Sequence, residues 1–485
     1  MSYPESIDYA AIAPPVVCAL GASGVLLTDL IAPRARRLLP ALAAGVLLGA
    51  LGALAAAAAA APTRGTFCST RFCSYAVDPF TIFVQALFCL AGVVIVLLSA
   101  ASVEAEHVPA GEFYFLLLTS LAGMLTLAAA RDLLVLLLAL EVVTLPALIL
   151  VGLRRTDPRA AEAALTFFLI SVLATAITVY GMSLLYGVTG SVQLGGILDA
   201  LRRAPHQPVA ALAVVLAIAG FAFKVAAVPF HAWAPDTYQG APVPVAAFLS
   251  VASKAAGFAG LILLLAACAP YAPSWRPVIA VLAVATMTVG NVAALRQRHV
   301  VRLLAWSSIA QAGYILVPLA VPDPAAALAY LGAYAVMNLG AFGCAVAVAG
   351  RRPRSAVADY RGLFADAPAL ALALAFFLTC LAGLPPGIVG LVAKVVVFRS
   401  AVDGGMSWLA VVMAVNTVIA LYYYARLAAS LFDTSPDQAE PGRGDATHLL
   451  PVPAPVAAAV AITAAVAVVL GFWPQALLGV VPGFG

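Results

Sequence analysis

The sequence predicts an all-α polytopic membrane protein of about fourteen transmembrane helices, with two inverted five-helix repeats, each containing a broken helix. Three observations predict it. Hydrophobic residues make up 64% of the 485 residues and charged residues 9%, against roughly 25% charged in soluble domains. Such a chain has too little charge to cover a water-facing surface. Apolar runs of about 20 residues, long enough to cross a bilayer, recur along its length. Two of these runs are interrupted by prolines, at places five spans apart.

The spans run over residues 11–31, 39–61, 79–101, 113–130, 133–153, 161–187, 209–230, 243–268, 276–295, 302–321, 325–349, 368–399, 407–431 and 452–473. In lipid only helices and closed barrels satisfy their backbone. Runs of this length without period-2 alternation select helices. The first run follows Glu5 and Asp8 with no basic residue, so it reads as a retained span and not a cleavable leader.

Charge placement sets the orientation. The basic residues are 22 Arg and 3 Lys. With the N-terminus outside, seven arginines fall in outside connections: Arg64, Arg71, Arg131, Arg202, Arg203, Arg276 and Arg399. The other fifteen, Arg354 and Arg443 among them, fall inside. Both termini are therefore expected on the outer face. The alanine and arginine bias is typical of a GC-rich bacterial genome, which points to a bacterial inner membrane. The net charge of +4 gives no sign of a nucleic-acid partner; the bilayer itself is the expected surround. Cys18, Cys89, Cys268, Cys344 and Cys380 sit in apolar runs and read as packing residues. Cys68 and Cys73 share an outside loop, as a thiol pair or a local disulfide.

The seventh span leads through Val228-Pro229 to His231 and Pro235, and the twelfth contains Pro385-Pro386 with Gly387 and Gly390. Proline removes a helix donor and clashes with the preceding turn. Each break has a lysine with glycine four residues before it, Gly220 before Lys224 and Gly390 before Lys394. Broken helices at matching places in two halves point to an internal repeat with a functional midplane. Five helices is an odd number, so successive units are inverted. The expected organisation is 1–111 for the first three helices, 112–270 and 271–432 for the two repeats, and 433–485 for a loop and last helix.

Deep in these spans stand Glu141, Lys224, Lys254 and Lys394. A charge at a helix centre costs about 2.5–3.5 kcal/mol on insertion scales, so such residues are functional by default. Lysines near helix ends can instead snorkel to the interface; Lys254, in mid-span, is badly placed to do so. Burial disfavours an ammonium and a nearby carboxylate favours it. Moving the carboxylate, or its proton, therefore makes a buried lysine take up or release a proton. Glu141 is the one acidic residue at mid-span, with Lys224 as its expected partner across helices. Lys254 shares a face with Ser250 and Gly257 by helical spacing. Ser307, Gln311 and Tyr314 form one stripe, and Tyr334 and Asn338 another; such stripes hold proton-carrying water or join helices. His231 relays protons or caps the break. No phosphate loop, dinucleotide fingerprint, metal-ligand cluster or nucleophile elbow is present, so redox or hydrolytic chemistry is expected on partner subunits.

Four stretches resemble a known family. KVAAVPFHAWAPDTYQGAP from Lys224 to Pro242, DLLVLLLALE from Asp132 to Glu141, RLLAWSSIAQAGY from Arg302 to Tyr314, and GLPPG from Gly383 to Gly387 are similar to the proton-translocating, antiporter-like membrane subunits of respiratory complex I, NADH:quinone oxidoreductase. The resemblance covers roughly residues 80–430. The YQGAP form, lysine at 394 and the end at 485 make it most similar to the subunit N branch. The resemblance implies a translocase in which Glu141 and Lys224 are the coupling pair, Lys254 the central relay and Lys394 the terminal proton site. It implies no cofactor in this chain, with NADH, FMN, iron–sulfur clusters and quinone on other subunits. The partners it implies are antiporter-like neighbours and small membrane subunits of the complex. The chain departs from the family at Val301, at Trp306 and at Ile388-Val389-Gly390-Leu391, and its second half lacks a counterpart of Glu141. Two other readings are a stand-alone or Mrp-type cation/proton antiporter and a structural membrane subunit without transport.

Overall fold

The computed structural model describes residues 7–69, 71–106, 108–203, 207–352, 355–433 and 451–483. Glu5, Arg354 and Arg443 lie outside them. Among the described residues twelve helices are long and apolar enough to cross a membrane. Two shorter apolar helices, Pro208–Lys224 and Pro368–Ala382, stand at the expected breaks. The protein is a multi-pass, almost wholly helical membrane protein.

The helix ends follow local chemistry. Asp78, Asp132 and Asp323 each accept the backbone N–H three residues on, at 2.9, 2.7 and 3.0 Å, and so satisfy donors that a helix start leaves orphaned. The expected span 209–230 stops at Lys224, and the chain then turns through Val228-Pro229 before a short helix, Trp233–Gly240. The expected single span 368–399 is two helices, Pro368–Ala382 and Ile388–Asp403, parted by Pro385-Pro386. In both places the prolines withhold donors that the helix needs to continue.

Three helices form the interior. Every residue in the apolar window of Val243–Ala267 is buried, as is 94% of the windows in Val300–Ala320 and Pro324–Ala349, against 28% for Pro158–Thr189 at the rim. The polar stripes read from the sequence lie on these interior helices, where each polar group needs a partner. One interior feature has no sequence signature: the backbone makes a π-helical turn over Leu249–Ser253, directly before Lys254. Such turns disrupt the regular hydrogen-bond ladder and are frequent at functional sites.

Outside the bundle, strands Arg64–Cys68 and Cys73–Val77 pair antiparallel, and a disulfide joins Cys68 to Cys73. The five other cysteines are free and buried. An amphipathic helix, Leu194–Arg203, buries Leu194, Ile197 and Leu201. Neither the hairpin nor this helix was expected, because each is too short to stand out from a connection.

Candidate functional site

Arginine supplies the cation in every ion pair described, from Arg36–Asp29 to Arg399–Asp403, and none involves a lysine. The three lysines are 1–3% exposed and bind neutral oxygens instead. Lys224 Nζ donates to Thr144 Oγ1 at 2.9 Å. Lys254 Nζ donates to the Ser308 carbonyl at 2.6 Å and to its hydroxyl at 2.5 Å. Lys394 Nζ donates to the Ala382 carbonyl at 2.6 Å.

Glu141 is half-buried and accepts a hydrogen bond from Thr175 Oγ1 at 2.7 Å. Among the ion pairs described, none joins it to Lys224. Each of the expected partners is thus held by a threonine hydroxyl. The helix carrying Lys254 packs directly on Lys224: a Cβ added at Gly257 would lie 3.0 Å from the Lys224 Cβ. Gly257 therefore serves the Lys224 contact, while Ser250 belongs to the surroundings of Lys254.

From Lys254 the polar groups continue without a carboxylate. The Tyr334 hydroxyl lies 3.1 Å from the Ser250 carbonyl and 2.9 Å from the Ser308 hydroxyl. Asn338 donates to Ser250 Oγ at 2.8 Å. On the same central helix, Ser307 Oγ is 2.5 Å from the Tyr424 hydroxyl, and Gln311 donates to that hydroxyl at 3.2 Å. Tyr330 donates to Gln311 Oε1 at 2.5 Å and stacks on Tyr314, with centroids 6.2 Å apart. Lys394 Nζ lies 5.2 Å from the centre of the Tyr314 ring, within range of a cation–π attraction. The Tyr314 hydroxyl meets Thr417 Oγ1 at 3.2 Å.

Lys394 reaches back across its break. Ala382 ends helix Pro368–Ala382, and a terminal carbonyl has no helical partner and carries the negative end of the dipole. Gly383 makes the turn with φ +78°, where a Cβ would stand 2.8 Å from Lys394 Cδ. At the first break His231 is half-buried, with its ring 5.5 Å from Trp306 and its Nδ1 without a protein partner. Arg154 Nη2 donates at 2.6 Å to the carbonyl of Gly240, which ends the short helix after that break. Arg154 also lies 3.5 Å from Glu106. Burial pushes the Glu106 carboxyl above the ordinary carboxylate range, and Arg154 opposes this.

Sequence reasoning missed Thr144, Thr175, Ser308, Tyr330, Thr417 and Tyr424. Thr144 was within reach, three residues after Glu141 and so on nearly the same face. Ser308 was masked by its neighbour Ser307. Tyr424 is separated from Ser307 by 117 residues, and no local pattern links them. Among the described residues no cluster of three His, Cys, Asp or Glu is placed to hold a metal ion.

A family model described as NADH:quinone oxidoreductase/Mrp antiporter, transmembrane, matches residues 130–420, which include both breaks, Glu141 and the three buried lysines. The chain is 50% identical to NADH-quinone oxidoreductase subunit N 2 of Streptomyces griseus, across 98% of this chain and 93% of that protein. Among solved structures, a chain of respiratory complex I from Thermus thermophilus with bound aureothin matches with a TM-score of 0.78 and 32% identity, over 97% of this chain and all of that one. A chain of the Mrp complex from a Dietzia species shares the fold, with a TM-score of 0.83 over 97% of this chain and 96% of that one, at 22% identity. Half of all residues identical along nearly the full length, and a family match spanning both broken helices, place this chain in the NADH-quinone oxidoreductase subunit N family.

Proposed function

We propose that the chain is a proton-translocating membrane-arm subunit of an NADH:quinone oxidoreductase. Quinone reduction on partner subunits drives proton transfer through Glu141, Lys224, Lys254 and Lys394. One observation carries this reading: three fully buried lysines bind hydroxyls and carbonyls and no carboxylate. An ammonium held by neutral acceptors can give up its proton without stranding a buried counter-charge. Glu141 and Lys224 are the coupling pair. Lys254 relays along the Ser250, Tyr334 and Ser308 cluster, with Asn338 behind it. Ser307, Gln311 and Tyr314 carry the line towards Lys394, the terminal site. His231 stands at the first break as a secondary proton-path group.

The reading extends to the whole assembly. NADH, FMN, iron–sulfur clusters and quinone are handled by partner subunits, and antiporter-like and small membrane subunits flank this one. The chain lies in a bacterial inner membrane with both termini outside. Residues 112–270 and 271–432 are inverted repeats. In support, the fifth and tenth spans each begin at an isolated antiparallel bridge, Asp132 with Gln193 and His299 with Ala356.

The test is Lys224→Ala in the assembled complex, reconstituted in proteoliposomes. Proton pumping and the quinone reduction coupled to it are expected to fall together. Unchanged pumping would remove Lys224 from the path. Sodium- or potassium-driven proton flux through the chain without redox partners would instead establish the cation/proton antiporter reading.

A further inference from the structure

In the first half each charge is held by its own hydroxyl. Thr175 Oγ1 donates to Glu141 Oε1 at 2.7 Å. Thr144 spends its own hydrogen on the Leu140 carbonyl, at 2.7 Å. A hydroxyl has one hydrogen and two lone pairs, so Thr144 can face Lys224 only as an acceptor, and it takes the ammonium at 2.9 Å. Thr144 is 3% exposed, and Lys224 is 1% exposed, so neither bond is exchanged freely with bulk water.

The backbone of Lys224 has little freedom. One turn before it, a Cβ at Gly220 would lie 1.9 Å from Thr178 Oγ1, so this helix is pressed against Pro158–Thr189. On another side, a Cβ at Gly257 would lie 3.0 Å from both Cβ and Cγ of Lys224. The Phe167 ring centre is 5.9 Å from Nζ. The stem is thus fixed, and the outer torsions of the side chain are what remain to move. Thr144 and Glu141 are three residues apart on one helix, where side chains stand about 5–6 Å from each other. Turning the tip of Lys224 across that gap exchanges one for the other.

We propose that Thr144 is a latch: a positioning residue that holds the Lys224 ammonium away from Glu141, so that closing the ion pair requires Lys224 to leave Thr144. The inference rests on the reading of Glu141 and Lys224 as the coupling pair. It gives the pair two defined states. In one, Thr144 holds the ammonium and Thr175 holds the carboxylate. In the other, the two charges hold each other and both hydroxyls are released. A ligand-free switch of this kind needs only a small difference in affinity between the states to be moved by events in a neighbouring subunit.

The experiment uses the whole complex in proteoliposomes, with Thr144→Val, Thr144→Ala and Thr144→Ser. Valine keeps the shape of threonine and removes the acceptor; alanine removes it without any risk of overpacking. In both, protons pumped per NADH oxidised are expected to fall about threefold or more as the closed pair becomes the resting state. The carboxylate stretch of Glu141, identified by its loss in Glu141→Gln, is expected to shift in infrared difference spectra as the ammonium arrives. Serine restores the acceptor and is expected to restore both readouts. The latch is overturned if valine and alanine leave pumping and the band unchanged, or if serine is as impaired as valine, which assigns Thr144 to packing. Lys224→Ala separates the levels. If it abolishes pumping while the valine variant pumps normally, the latch alone fails; if both pump normally, the coupling-pair reading fails with it.

Discussion

The two broken-helix regions place a buried lysine on opposite sides of the break, and they treat it differently. In the first, Lys224 is the last residue of the helix before the break, and its partner is the Thr144 hydroxyl, three residues beyond Glu141 on one helix. In the second, Lys394 stands on the helix after the break and reaches back to the freed carbonyl of Ala382, over the face of Tyr314. The first site can be driven by charge. The second has the Ala382 carbonyl and an aromatic face around the ammonium, and no carboxylate bonds to it. The proposed relay therefore has a charge-driven site at one end and a dipole-held one at the other.

The sharpest way to break this comparison is Glu141→Gln, which removes the one charge available to the first site and leaves the second untouched. Proton pumping in proteoliposomes is expected to fall about tenfold or more, equivalent to a barrier rise of about 1.4 kcal/mol. Pumping at the normal rate would mean that both sites run on dipoles. Next in size is Gly383→Ala. The residue would be held at φ +78°, at a cost of about 1–2 kcal/mol, and its Cβ would press on the Lys394 stem. A lower thermal transition of the assembled complex and weaker pumping are expected together; loss of stability with normal pumping would detach the turn from the lysine.

The first break offers the converse change. Ala226 already holds φ 58° without being glycine, so Ala226→Gly is expected to be neutral or to stabilise by up to about 1 kcal/mol. A destabilised Ala226→Gly complex in the same melting experiment would show that the two turns are not strained in the same sense. The smallest effect belongs to Tyr314→Phe, which keeps the ring under Lys394 and loses the Thr417 contact. A change of about 0.5–1.5 kcal/mol in stability with pumping close to normal is expected. Tyr314→Leu removes the ring as well, and if it pumps as well as phenylalanine the aromatic face has no part in holding the ammonium.

Much of this was legible in the sequence, for physical reasons. Lipid leaves a helix no choice but to be apolar and long, so the spans could be read within a few residues. A lysine in such a run is expensive, so Lys224, Lys254 and Lys394 announced themselves. The stripe of Ser307, Gln311 and Tyr314 follows helical spacing, and the structure gives each member a polar partner across helices. What escaped was whatever depends on two distant segments meeting. Glu141 and Lys224 were expected as partners across helices, and the threonines that hold each of them carry no charge to mark them. Thr175 and Tyr424 come from other helices, and the π-helical turn before Lys254 is made by residues that suit an ordinary helix equally well.

Helix Val300–Ala320 presents Ser308 to Lys254 and Tyr314 to Lys394. Those residues are six apart, about 9 Å along the axis at 1.5 Å per residue. The helix is therefore a crankshaft. A turn about its axis that lengthens the bond at one lysine must also move the ring beneath the other, so the two sites share a mechanical load.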